Sequence, residues 1–331
     1  MLGQGRERLV ISAGRGVVAL VAVLVAPACV EHVEIIARER PAVGGSGGRA
    51  SAAGAGGAES SAAGGGEGGA ADEVRRPVFL APSPVDELND PDAKDQDPTL
   101  TADLREILFF SDRGGNEDIW TARRDDPEDP WEPPTAVEEL NSDDIEQNPA
   151  ISRDGLRLWY YSRRDPAGIW QTSRATRDDA WDDPVPLVVD VEDPGGVIIA
   201  PTVDASELRM ALSLGTASSR DIYELVRASW SAPWSEPALV LGLNGDTAES
   251  TPFFIDDGRE LLFFSGRTGN GDLFWAYRAS LAVPVTRVEP LTELNDPESF
   301  ESHPYLSVDR RVVYFGSNRS GNTDIFRAVA R

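Results

Sequence analysis

Ile107-Leu108-Phe109-Phe110-Ser111-Asp112-Arg113-Gly114-Gly115-Asn116-Glu117-Asp118-Ile119-Trp120 is the stretch whose reading decides the fold. It reads as a strand rich in aromatic and branched side chains, a Gly-rich turn, and a second strand opening on Asp-Ile-aromatic. The first strand returns at Leu158-Trp159-Tyr160-Tyr161, Leu261-Leu262-Phe263-Phe264 and Val312-Val313-Tyr314-Phe315. Ser111, Ser162, Ser265 and Ser317 follow these runs, and Arg113, Arg164, Arg267 and Arg319 stand two positions further on. The second strand returns at Asp221-Ile222-Tyr223, Asp272-Leu273-Phe274 and Asp324-Ile325-Phe326, with Gly168-Ile169-Trp170 in the second repeat.

Working outward, a proline precedes each pair of strands. Pro98, Pro149, Pro201, Pro252 and Pro304 recur every 51 or 52 residues. Behind each pair comes a closing signature. Trp131, Trp181 and Trp234 each have Pro three residues later, and the following segment ends in Leu140-Asn141, Leu243-Asn244 or Leu294-Asn295. The fourth repeat lacks the Trp, and the second has Val191-Glu192 in place of Leu-Asn. Four short strands per period of about 51 residues describe a propeller blade, too small to be stable without its neighbours. No long amphipathic helix interrupts the repeats between Pro98 and Arg331, which argues against an α/β fold.

The ends of the chain complete the ring. The last repeat stops at Arg331 without an outer strand. Near the other end, Glu87-Leu88-Asn89-Asp90-Pro91 matches Glu293-Leu294-Asn295-Asp296-Pro297, so an orphan outer strand starts near Val78. The expected fold is therefore all-β: a five-bladed β-propeller of four-stranded blades, closed by the N-terminal strand pairing into the last blade. Closure removes two open sheet edges.

Residues 1–28 read as a signal peptide, with a basic start at Arg6, Arg8 and Arg15 and the apolar run Val17–Val25, too short to span a bilayer. Residues 29–77 read as a flexible tether rich in Gly, Ala and Ser, with a reach of about 35–42 Å. Residues 78–331 are the propeller. Ala26-Pro27-Ala28-Cys29, which holds the chain's one cysteine, resembles a bacterial lipobox, with Ala26 where Leu is commonest. That resemblance implies lipid on Cys29 and a membrane anchor; an ordinary A-x-A cleavage site is the alternative. The chain of 331 residues has a net charge of -25, all of it beyond residue 76. Such a balance argues against a nucleic-acid partner. A single cysteine excludes a disulfide scaffold.

The motif set of Trp-x-x-Pro, Leu-Asn, acid-x-x-Pro, Asp-Gly, Ser-x-Arg-x-Gly and Asp-Ile-aromatic resembles TolB-type WD40-like repeats of bacterial envelope proteins. It is similar to the propellers that accompany OmpA-like domains, although no OmpA-like domain follows here. The resemblance implies a periplasmic or cell-surface protein, held at the outer membrane, that scaffolds another envelope protein.

Ser-x-Arg and Asp-Ile-aromatic recur in most blades and read as a structural pair, the Arg satisfying backbone carbonyls and the Asp carboxylate. Asp95, Glu146, Glu249 and Glu301 stand three residues before the prolines, with Ile198 in the third repeat. The resemblance would bring these four carboxylates near one mouth of the central channel. They are the candidate site for a basic segment of a partner or for a cation such as Ca²⁺; solvated or backbone-capping carboxylates are the plainer alternative. His303, the one His beyond the tether, joins them as a candidate. No Ser-His-Asp set, G-x-S-x-G or His-rich metal motif is visible, and no other cofactor is implied. The expected function is a lipid-anchored, non-enzymatic, protein-binding propeller. A polysaccharide- or peptide-acting hydrolase and a carbohydrate-binding module are the alternatives. The hydrolase would show a carboxylate pair placed once rather than in every blade. The sugar binder would show aromatic side chains lining an exposed groove.

Overall fold

A computed structural model describes residues 76–190 and 196–331. The expected signal peptide, the lipidation site at Cys29 and nearly all of the tether lie outside the described residues. No helix among the described residues is long and apolar enough to cross a membrane.

Among the described residues, twenty strands form five antiparallel four-stranded sheets. Strand β1 (Ser83–Pro84) comes first in the chain. Blade 1 follows: β2 (Asp95–Leu100), β3 (Glu106–Ser111), β4 (Asp118–Arg123) and β5 (Thr135–Ala136). Blade 2 is β6 (Glu146–Ile151), β7 (Arg157–Ser162), β8 (Gly168–Ser173) and β9 (Val185–Pro186). Blade 3 is β10 (Val197–Val203), β11 (Arg209–Gly215), β12 (Asp221–Val226) and β13 (Ala238–Leu239). Blade 4 is β14 (Glu249–Ile255), β15 (Glu260–Ser265), β16 (Asp272–Tyr277) and β17 (Arg287–Pro290). Blade 5 is β18 (Glu301–Leu306), β19 (Val312–Ser317) and β20 (Asp324–Val329), completed by β1, which pairs Ser83 with Arg327 and Pro84 with Phe326. The ring is closed as the orphan outer strand predicts.

The second strand of each blade is apolar on both faces because a blade is buried on both sides. Period-2 alternation then divides its side chains between two neighbours. Ile107 and Phe109 pack towards blade 5 with Tyr305 and Tyr314, whereas Leu108 and Phe110 pack towards blade 2 with Leu158 and Tyr160. Each junction has one such cluster. At about 25 cal/mol per Å², burial of one Phe contributes roughly 1.5–3 kcal/mol, so the ring is held by these five seams.

The Leu-Asn motif extends the short outer strand. Asn141 accepts from Ile119 N (2.7 Å) and donates to Ile119 O (3.0 Å), as a strand backbone would. Asn89, Asn244 and Asn295 do the same to Ile325, Ile222 and Leu273. The repeated Trp is structural too. Trp131 and Trp181 are buried, and the guanidinium groups of Arg124 and Arg174 lie 4.0 and 4.2 Å from their ring centres.

Candidate functional site

The acids before the prolines are not at an open mouth. Asp95, Glu146, Glu249 and Glu301 are each 0% exposed. Each lies inside its own blade and is the acceptor of a fixed set of donors. Glu301 accepts from Ser317 Oγ (2.8 Å), Arg319 Nη2 (2.7 Å) and the backbone N–H of Asp296 (3.0 Å). Glu146 takes Ser162 Oγ, Ser142 N and Arg164, the last at 3.1 Å. Arg113 donates to Asp95 and to Leu88 O at 2.5 Å each, and Arg267 reaches Glu249 (3.3 Å) and Leu243 O (2.9 Å). Burial pushes the Asp95 carboxyl above its ordinary value, against the pull of the Asp90 N–H and of Arg113 and Ser111.

The partner of the Ser-x-Arg arginine is therefore this acid, together with the Leu carbonyl of Leu-Asn. It is not the Asp of Asp-Ile-aromatic. Asp118 carries a carboxyl raised by burial and then by nearby acids, with no arginine among the causes. Blade 3 shows what the set is for. Ile198 takes the acid position and pairs with Leu214, which takes the Ser position, while Thr216 stands where the Arg would be. Three polar residues are exchanged together for a packed apolar pair. That is how a buried hydrogen-bonded ion pair is replaced without loss.

Two residues further along each inner strand, the chain meets the axial channel. Asp97, Asn148, Ala200, Thr251 and His303, each immediately before one of the five prolines, line it with those prolines. None of the four acids does so. The channel encloses ≈ 920 Å³ of non-atom space including its open ends. Proline cannot donate to the ladder, so every inner strand bulges there. The register with the second strand shifts between Gln96 and Thr99 in blade 1 and at the matching place in the other four blades. The residue before each proline takes a left-handed backbone: φ is 62° at Asp97, 53° at Asn148, 52° at Ala200, 48° at Thr251 and 52° at His303. None is glycine, and left-handed conformations cost such residues about 1–2 kcal/mol each.

Three of the five converge. Asn148 Nδ2 donates to Asp97 Oδ2 at 2.5 Å and lies 3.0 Å from His303 Nε2. A carboxylate only accepts, so the amide nitrogen faces Asp97, and Nε2 of His303 accepts the other amide hydrogen. His303 Nδ1 lies 2.6 Å from Asp97 Oδ1, 3.0 Å from Ser302 Oγ and 3.2 Å from Gln96 Nε2. The His303–Asp97 contact lacks hydrogen-bond geometry, and Asp97 Oδ1 has no hydrogen-bonding partner. Asn148 Oδ1 has none either, and both atoms are buried. Thr251 Oγ1 holds the His303 backbone N–H at 3.2 Å.

His303 is thus placed in a cluster, while the four acids are placed elsewhere. Asp97 and Asn148 were missed. The signal was present: the residue before each repeated proline differs in all five blades, while the proline recurs in every blade and the acid two places before that residue in four. No group of three His, Cys, Asp or Glu among the described residues has the arrangement of a metal site. One carboxylate stands in the cluster, so it lacks the carboxylate pair of glycoside hydrolysis. Its chemistry is to accept hydrogen bonds at two buried oxygens, Asp97 Oδ1 and Asn148 Oδ1.

No family model matches the chain, and no curated protein matches it. The fold is similar to the α-L-arabinofuranosidase PaAbf62A of Podospora anserina in complex with cellotriose (11% identity, 77% of this chain and 97% of that one, TM-score 0.56). It is also similar to a GH62 hydrolase in complex with xylotriose (11% identity, 76% and 96%, TM-score 0.50). TolB from Acinetobacter baumannii is matched at 13% identity over 74% of this chain, with a TM-score of 0.46, and the chain spans only 56% of that protein. At such identities the propeller is what is shared. The expectation that this protein is not an enzyme is corrected by these likenesses, because the same architecture serves glycoside hydrolases.

Proposed function

We propose that this is a propeller of the bacterial envelope, anchored through lipid on Cys29, that docks a partner protein over one end of its axial channel. The docking point is Asp97, Asn148 and His303 rather than the four buried acids. The observation that carries this is the pair of buried oxygens without hydrogen-bond partners, Asp97 Oδ1 and Asn148 Oδ1, on strained backbone beside the channel. Unmet buried acceptors cost about 1–3 kcal/mol each, and a lysine or arginine side chain entering the channel supplies the missing donors. The strongly acidic propeller favours a basic segment through its long-range field. An affinity capture from solubilised envelope tests it, with the full chain beside its Asp97→Asn/Asn148→Ala variant. The expected result is a partner retained by the parent and lost by a variant whose melting temperature matches the parent. Equal retention by both sinks the axial reading.

A further inference from the structure

Two junctions between blades, 1 with 2 and 3 with 4, carry the same kind of buried ion pair, and the junction of blades 2 and 3 between them has the arginine without the acid. At the end of each third strand stands an arginine: Arg124, Arg174, Arg227 and Arg278 in blades 1 to 4. Arg174 Nη2 donates across the junction to Glu106 of blade 1 at 2.6 Å, and Arg278 Nη2 donates to Glu224 of blade 3. Glu106 is the first residue of β3, and Glu224 is the fourth of β12. In blade 2 these two register positions carry Arg157, the first residue of β7, and Gln171, the fourth of β8. The arginine that faces them, Arg227, is 8% exposed and its Nη2 has no partner. Burial lowers its pKa, with Glu207 opposing and Arg157 adding to the shift.

A groove opens at this junction, lined by Arg157, Trp159, Gln171, Arg227 and Trp230, with Asp182 and Asp183 on its edge. The indole N–H of Trp159, a residue 1% exposed, has no partner either. Trp230 is 44% exposed, unlike the packed Trp131 and Trp181. Its ring lies over both guanidinium groups, 4.2 Å from that of Arg157 and 3.8 Å from that of Arg227. The Arg157 charge is already met by Glu207 at 2.6 Å.

We propose that this groove between blades 2 and 3 binds a uronic acid residue, a sugar ring bearing a carboxylate. The carboxylate takes the place of the glutamate that the neighbouring junctions supply, accepting from Arg227 Nη2 and the Trp159 indole. The C–H face of the ring stacks on Trp230, and Asp182 and Asp183 accept from its hydroxyl groups. This site is independent of the axial cluster.

Titration calorimetry of the full chain with sodium glucuronate tests it, with glucose and sodium acetate as the arms that carry one half of the chemistry each. Glucuronate is expected to bind at least tenfold more tightly than either. Trp230→Ala, in an exposed turn, should weaken it tenfold or more without lowering the melting temperature. Gln171→Glu restores the missing carboxylate from within. It should raise the melting temperature by about 2 °C or more and abolish glucuronate binding. No binding of glucuronate, equal binding of glucose, or unchanged binding in Gln171→Glu overturns the proposal.

Discussion

Replacing Glu146 by alanine should be costly, and replacing it together with its partners should not be. Glu146 is 0% exposed, accepts from Ser142 N and Ser142 Oγ at 2.8 Å and from Ser162 Oγ at 2.5 Å, and forms an ion pair with Arg164 Nη2 at 3.1 Å. Alanine strands the Ser142 N–H and leaves Arg164, whose side chain is 19% exposed, with no carboxylate. Breaking one partner of a buried pair costs about 3–5 kcal/mol. The residual exposure of Arg164 lets water recover part of that, which places Glu146→Ala near 3–4 kcal/mol. At roughly 2–4 °C per kcal/mol for a domain of this size, the melting temperature should fall by about 6–16 °C. Glu146→Ile/Ser162→Leu/Arg164→Thr installs the blade 3 solution and should cost under about 2 kcal/mol, because no charge is left unpaired. Urea titrations followed by circular dichroism give both values. A triple variant as unstable as the single one, or a single variant costing under about 1 kcal/mol, refutes the view that these acids serve the inside of each blade.

Two further outcomes follow from the backbone and from the hairpin turns. Ala200→Gly should stabilise the protein by up to about 1 kcal/mol, since Ala200 holds φ at 52° with no polar side chain to lose; thermal melting reads this directly. Asp103, Asp154 and Asp309 sit in equivalent turns and have carboxyls below the ordinary value. At Asp103 and Asp154 burial pushes upward but hydrogen bonds from Thr101 and Ser152 and from backbone N–H groups outweigh it, while at Asp309 the Ser307 hydrogen bond leads. Groups lowered in the folded state add stability above their unfolded pKa, about 4, and lose it as pH falls through the folded value. These turns should contribute a loss of melting temperature below about pH 4, and Ser152→Ala should make the measured decline there shallower.

The ring was legible because its determinants repeat. Pro98 to Pro304 gave the period, the runs such as Phe109-Phe110 gave the doubly buried strand, and Leu88-Asn89 gave the closing strand. The acids were misplaced because spacing reports position along a strand and not the direction of a side chain. Asp95 and Asp97 are two residues apart, yet the bulge at Pro98 and the left-handed Asp97 send one into the blade and the other to the channel. The Trp230 groove was hidden for another reason. It arises from two glutamates that blade 2 does not have, at positions that become equivalent only when strand registers are known.

The clasp in blade 5 makes persistence of the ring a kinetic matter. Blades 1 to 4 are built from adjacent strands and assemble locally. Blade 5 awaits a meeting of Asn89 with Ile325, 236 positions apart, and contacts of such separation form late because the intervening chain must first give up its freedom. Contacts absent when the rate-limiting state is reached slow opening rather than speed closing. The same seam, which joins the paired residues of β1, the Phe79–Ala330 bridge and the double hydrogen bond of Asn89, therefore acts as a latch: how rarely it slips sets how long the two edges it covers stay hidden from proteases and from other copies of the chain.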